Sequence, residues 1–128
     1  MSDLSSREKA RIVARAALDK VARDVVALDV REIVSFADVF VICTGRSDRQ
    51  VRSIADGIEE AMVERGERPL GIEGQDEGRW VLMDLADVIV HVFLEEVREQ
   101  YDLERLWSDA PPLDLGLEEE DEARTSAR

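Results

Sequence analysis

RWVLMDLADVIVHVF, residues 79–93, contains two short apolar runs, Arg79 to Asp84 and Val88 to Phe93, separated by Leu85, Ala86 and Asp87, the length of a tight hairpin. Trp80 and Leu82 alternate onto one face of the first run and Val81 and Met83 onto the other, so both faces of this strand are apolar. Two arrangements satisfy that pattern. Helices on both sides bury both faces, or one face is core and the other a docking patch; the pattern alone does not choose between them.

Upstream, Val39 to Thr44 (VFVICT) and Val25 to Val30 (VVALDV) are β-branched, apolar and short, which suits strands with largely covered faces. Gly45 ends the first of these. Ser47 is placed to cap a helix whose inner face is Val51, Ile54, Ala55, Ile58, Ala61 and Met62, ending near Gly66. The chain starts with another amphipathic helix: Ser5 and Glu8 have capping-box spacing, and Ala10, Val13, Ala14, Ala17, Leu18 and Val21 form its stripe. Pro69 to Glu73 is a short strand. A helix from about Leu94 to Tyr101 follows the hairpin, with a further turn from Asp102 to Trp107. This order predicts one α/β (mixed α+β) domain over residues 1–110, with a mixed sheet of about five strands and flanking helices. Pro111 and Pro112 stop the last helix, and residues 111–128, with their EEEDE run, are expected to form a disordered acidic tail.

Apolar residues make up 45% of the 128 and charged residues 37%, which supports a single core beneath a highly charged surface. The net charge is -13, with Lys9 and Lys20 the only lysines, so direct nucleic-acid binding through a basic stripe is not expected. A basic protein is the better macromolecular partner, since opposite charge speeds encounter. Cys43 is the single cysteine, which rules out an internal disulfide and fits a cytoplasmic home. The longest greasy stretch, Val88 to Leu94, is far below the roughly 18 residues that span a bilayer, and the N-terminus lacks an apolar signal region.

Catalytic readings are weak. Gly45-Arg46-Ser47-Asp48 at a helix start offers amides to a phosphate, but the same residues make an ordinary strand-to-helix turn, and no lysine stands there. A nucleotidyltransferase also needs carboxylates on a metal, for which Asp84 and Asp87 are the only pair at hand. His91 and Cys43 lie in apolar strands, where burial is the commoner fate. No catalytic residue, metal or cofactor is assigned. The interaction reading rests on Trp80, Tyr101 and Trp107, half of the six aromatics, because large amphipathic rings dominate protein interfaces.

Four stretches in order resemble the ribosome silencing factor family, also called Iojap-like proteins: SFADVFVICTGRSDRQVRSIAD (35–56), GIEG (71–74), RWVLMDLADVIVHVF (79–93) and YDLERLW (101–107). The resemblance implies a nucleotidyltransferase-like topology without catalysis. It also implies an adaptor that binds large-subunit ribosomal protein L-fourteen, blocks subunit joining by bulk and represses translation when nutrients are scarce. A role in late large-subunit maturation is associated with relatives. The implied docking residues are Trp80 and Leu85, with Asp84, Asp87, Arg98 and Tyr101 at the rim. Asp38, Ser47, Asp48 and Arg49 also match but read first as turn and cap residues. The resemblance further implies self-association through apolar strand surfaces, and a homodimer closed over Trp80 would exclude ribosome binding. Two alternatives stand beside the adaptor: an assembly factor without anti-association activity, and a nucleotide-binding enzyme.

Overall fold

Strands rich in valine and isoleucine are stable only when their faces are covered, and this chain covers them unequally. A computed structural model describes residues 4–102, 105 and 107–117. The elements run α1 (Ser6–Asp19), β1 (Arg23–Asp29), β2 (Val39–Gly45), α2 (Asp48–Glu64), β3 (Gly71–Glu73), β4 (Trp80–Asp84), β5 (Val88–Leu94) and α3 (Glu95–Tyr101). The sheet order is β1-β2-β5-β4-β3, with β2 and β5 parallel and the other neighbours antiparallel. The expected mixed five-stranded sheet is therefore present, element for element.

Both long helices lie on one face. Each starts as its sequence dictates: the Ser5 hydroxyl accepts from the Glu8 amide while the Glu8 carboxylate accepts from the Ser5 amide, and the Ser47 hydroxyl accepts from the Gln50 amide. Val13, Ala14 and Ala17 of α1 and Val51, Ile54 and Ile58 of α2 pack onto Val41, Cys43, Val81, Met83, Val90 and Val92, all fully buried. Burial of each Val, Ile or Met here contributes about 1.5–3 kcal/mol. Leu18 and Val21, assigned to the α1 stripe from the sequence, fall at or beyond the helix end and are exposed.

The opposite face is covered by smaller pieces. Val30, Ala37, Val97 and Ala110 close over Leu28, Phe40, Ile42, Ile89 and Phe93, which covers the β1, β2 and β5 side of this face. Trp80 and Leu82 of β4, on the same face, stay half-exposed.

The boundary expected at residue 110 is corrected by the structure. The Asp29 amide donates to the Pro111 carbonyl (2.8 Å), the Leu113 amide donates to the Ala27 carbonyl (2.8 Å), and Pro112 bridges antiparallel to Leu28. Leu115 is 7% exposed within the helix-side core. The physical reason is a period-two run, Leu113, Leu115 and Leu117, which suits an extended segment against an edge strand despite the prolines. The remainder of the expected tail, residues 118–128, lies outside the described residues, as do Leu103, Glu104 and Leu106 of the expected turn after α3.

At the pole where the hairpin turns, the ammonium of Lys9, a residue 4% exposed, sits 2.6 Å from Asp87, 3.2 Å from the Leu85 carbonyl and 3.6 Å from Glu67. The Ser6 hydroxyl lies 2.6 Å from both Asp38 and Asp87. These contacts bind α1 to three separate loops. Lys9→Met should strand the Asp87 charge and the Leu85 carbonyl and cost about 2–3 kcal/mol, less than a fully buried pair because Asp87 keeps some water contact. A urea titration of the two proteins measures the difference.

Candidate protein-docking face

Trp80 opens β4 and stands beside Phe93 of β5 in the antiparallel register, with Leu82 beside His91. Its ring centroid lies 4.8 Å from Phe93, 5.1 Å from Tyr101 and 6.0 Å from His91. The indole N–H donates to His91 Nδ1 at 3.2 Å, so the imidazole is neutral with its proton on Nε2. Burial holds the His91 pKa down from 6.5 to about 4, and its Nε2 has no hydrogen-bond partner among the described residues. His91 therefore props the indole from beneath, the structural role its apolar strand suggested.

The aromatic group continues across the sheet. Phe40 packs edge-on against His91 (5.3 Å) and Trp107 (5.5 Å), and Phe36 lies 6.1 Å from Phe40. Tyr101 is 52% exposed and Phe36 62%, so apolar surface reaches solvent at both ends of the row. A hollow of about 290 Å³ beside Trp80 and Tyr101 is rimmed by Glu77, Arg79 and Gln100. The question left open by alternation is thus answered: one face is core and the other is partly free. Phe36 was given no role from the sequence; its one legible signal is a large ring in a polar turn of an aromatic-poor chain.

The remaining site residues divide. Asp84 lies on the open face, half-exposed, with its carboxylate accepting from the Ala86 amide at 2.9 Å. Leu85 points the other way and is 4% exposed in the helix-side core. Asp87 engages Lys9 and Ser6: burial works to raise its pKa, but their hydrogen bonds and the lysine charge hold it below the usual carboxylate value. Arg98 donates to the Asp24 carbonyl (2.6 Å) and the Thr44 hydroxyl (2.7 Å), which fixes α3, and Tyr101 with it, to the sheet.

The groups considered for catalysis have other occupations. Asp84 and Asp87 turn to different partners and do not converge. Ser47 caps α2, and the Arg46 amide donates to the Gln50 side chain. The Cys43 thiol, wholly buried, has its pKa pushed up to about 12 by desolvation, against the pull of Arg98. Asp38 accepts from Ser6, and Asp48 pairs with Arg52 in the first turn of α2. No described helix is long and apolar enough to cross a membrane.

Comparison with known proteins gives these features a setting. Residues 3–128 match a family model described as ribosomal silencing factor during starvation, a span that includes the acidic C-terminus. A Bacillus subtilis protein named ribosomal silencing factor RsfS is 50% identical over 105 residues, covering 82% of this chain and 89% of that one. A mouse protein named mitochondrial assembly of ribosomal large subunit protein 1 is 31% identical over 90 residues, covering 68% of this chain and 40% of its own length. A crystal structure of a Chromobacterium violaceum protein superposes with a TM-score of 0.80 at 35% identity, covering 82% of this chain and 88% of that one.

Two outcomes follow from the geometry around the indole. Because the folded His91 resists protonation, its contribution to stability is complete above pH 6.5 and is lost as pH drops from 6.5 toward about 4, where the unfolded chain binds the extra proton. His91→Gln, which keeps an acceptor for the indole, should flatten that slope between pH 7 and 5 in urea titrations. Gly74 sits at φ +87°, where an added Cβ meets the Trp80 carbonyl oxygen at 2.0 Å. Gly74→Ala should displace the start of β4, cost about 1–2 kcal/mol or more, and shift tryptophan emission.

Proposed function

Because this chain belongs to the ribosomal silencing factor family, we propose that it docks on the large ribosomal subunit through ribosomal protein L-fourteen and keeps the small subunit away by its bulk. One observation supports this above the rest: Trp80 and Tyr101 present adjoining, tilted and part-exposed rings on the less covered part of a sheet within a molecule of net charge -13. Rings of this kind supply the energy of protein interfaces, while an anionic surface draws a cationic ribosomal protein and repels phosphate backbones. Trp80 and Tyr101 are the anchors and Asp84 belongs to the rim. Leu85, Asp87 and Arg98 serve the same surface from behind by holding the hairpin and α3 in place. The protein acts in the cytoplasm, without catalysis or cofactor, and represses translation when nutrients are scarce. When free, it closes the aromatic face against a second copy, so that dimer and ribosome-bound monomer exclude one another.

The mouse relative's name favours a second reading, a large-subunit assembly factor that uses the same face without blocking joining. Purified subunits separate the two. The protein should co-sediment with large subunits and, at saturation, suppress joining as followed by light scattering. Trp80→Ala, checked for folding by circular dichroism, should weaken binding at least tenfold, the scale of a central aromatic anchor. Binding with normal joining favours the assembly reading, and absence of binding rejects both.

A further inference from the structure

The chain carries a net charge of -13, yet helix α1 runs against it. Its fourteen residues hold four cations, Arg7, Lys9, Arg11 and Arg15, and two anions, Glu8 and Asp19. Lys9 is committed to Asp87 at the hairpin pole. Arg7, Arg11 and Arg15 recur every four residues and so share one face. Arg11 and Arg15 also line a hollow of about 280 Å³ between α1 and α2, where Arg65 joins them and the carboxylates are those of Asp19 and Glu64.

The C-terminal segment is led along this helix. The Arg7 guanidinium donates to the Asp114 carbonyl (3.1 Å) near the start of α1, and Leu117 shares the lining of a second hollow with Leu18 near its end. Leu18 stands just under one turn past Arg15 and about two turns past Arg11. The residues that follow Leu117 are Glu118, Glu119, Glu120, Asp121 and Glu122. Five extended residues reach about 17 Å, whereas the rise from Leu18 back to Arg11 is about 10 Å. The chain thus brings five carboxylates within reach of the arginines, on a tether that holds them at an effective concentration on the order of millimolar.

We propose that residues 118–122 lie in cis across the arginine face of α1 and close it to nucleic-acid phosphates. Guanidinium and carboxylate form the stronger, charge-assisted class of hydrogen bond, and a phosphate backbone competes for the same donors. The acidic run stands in for that backbone and keeps the real one off this flank. α1 packs on the face of the sheet opposite Trp80, so this reading holds or fails apart from the proposed ribosome contact.

Two readings on the full-length chain test the idea. Phenylglyoxal, which modifies accessible guanidiniums, is followed at each arginine by mass spectrometry, with Arg49, exposed in the first turn of α2, as the reference. Replacing the run by its amides (Glu118→Gln, Glu119→Gln, Glu120→Gln, Asp121→Asn and Glu122→Gln together) should speed modification of Arg11 and Arg15 at least about threefold relative to Arg49. In anisotropy titrations at low salt, the amide variant should bind a fluorescent single-stranded RNA at least about tenfold more tightly than the parent. Adding Arg11→Gln and Arg15→Gln to that variant should remove the gain. Adding Arg46→Gln and Arg49→Gln instead, an equal change of charge, should keep it. Unchanged modification would show that the run does not cover the arginines. A missing gain, or one lost equally with either arginine pair, would show that the run closes no site on α1; each of these results overturns the proposal.

Discussion

The parallel ladder between β2 and β5 is the constraint from which the other placements follow. It runs in unbroken register from Val39 opposite Val88 to Gly45 opposite Leu94. Parallel strands cannot be joined by a tight turn, so α2, β3 and β4 must all be threaded between them. The same ladder demands cover on both faces, which α1 and α2 supply on one side. On the other side, among the described residues, α3, the Val30–Ala37 loop and the Trp107–Ala110 turn supply the cover, and over β4 it thins to the Tyr101 ring beside Trp80. The half-open aromatic face is what remains when a sheet of this kind is roofed with too little chain.

Polar contacts settle where the helices on the two faces sit. Lys9, Ser6 and Asp87 bind the first turn of α1 to the hairpin, and Arg98 binds α3 to Asp24 and Thr44. None of these groups offers its polar atoms to the aromatic row. The polar network thus does the positioning, while the rings of Trp80, Tyr101 and Phe36 keep part of their surface in solvent.

Sequence periodicity carried most of the fold. The capping box at Ser5, the cap at Ser47 and the alternation in residues 79–93 each placed their element within one or two residues, because local hydrogen bonding and burial acted together there. The site was legible only in part. Alternation put Trp80 and Leu82 on one face but contained nothing about which face the helices would choose. Leu85 belongs to the turn, where period two lapses, so its inward direction could not be deduced. The extended segment of residues 111–117 was hidden for the opposite reason: two prolines and a run of acids are the usual marks of a chain leaving its domain, and three alternating leucines are a faint signal against them.

The turn between β4 and β5 reaches further than its size suggests. Ala86 holds φ +74°, the Leu85 amide donates to the Val88 carbonyl, and Asp87 is moored to α1. Side chains switch faces with every residue along a strand, so a single-step slip here would drive the indole of Trp80 into the helix layer and turn Val81 and Met83 outward. The hairpin works as an indexing pin. A change at Ala86, at a residue no partner need touch, has the reach to interchange the molecule's inside and outside along β4.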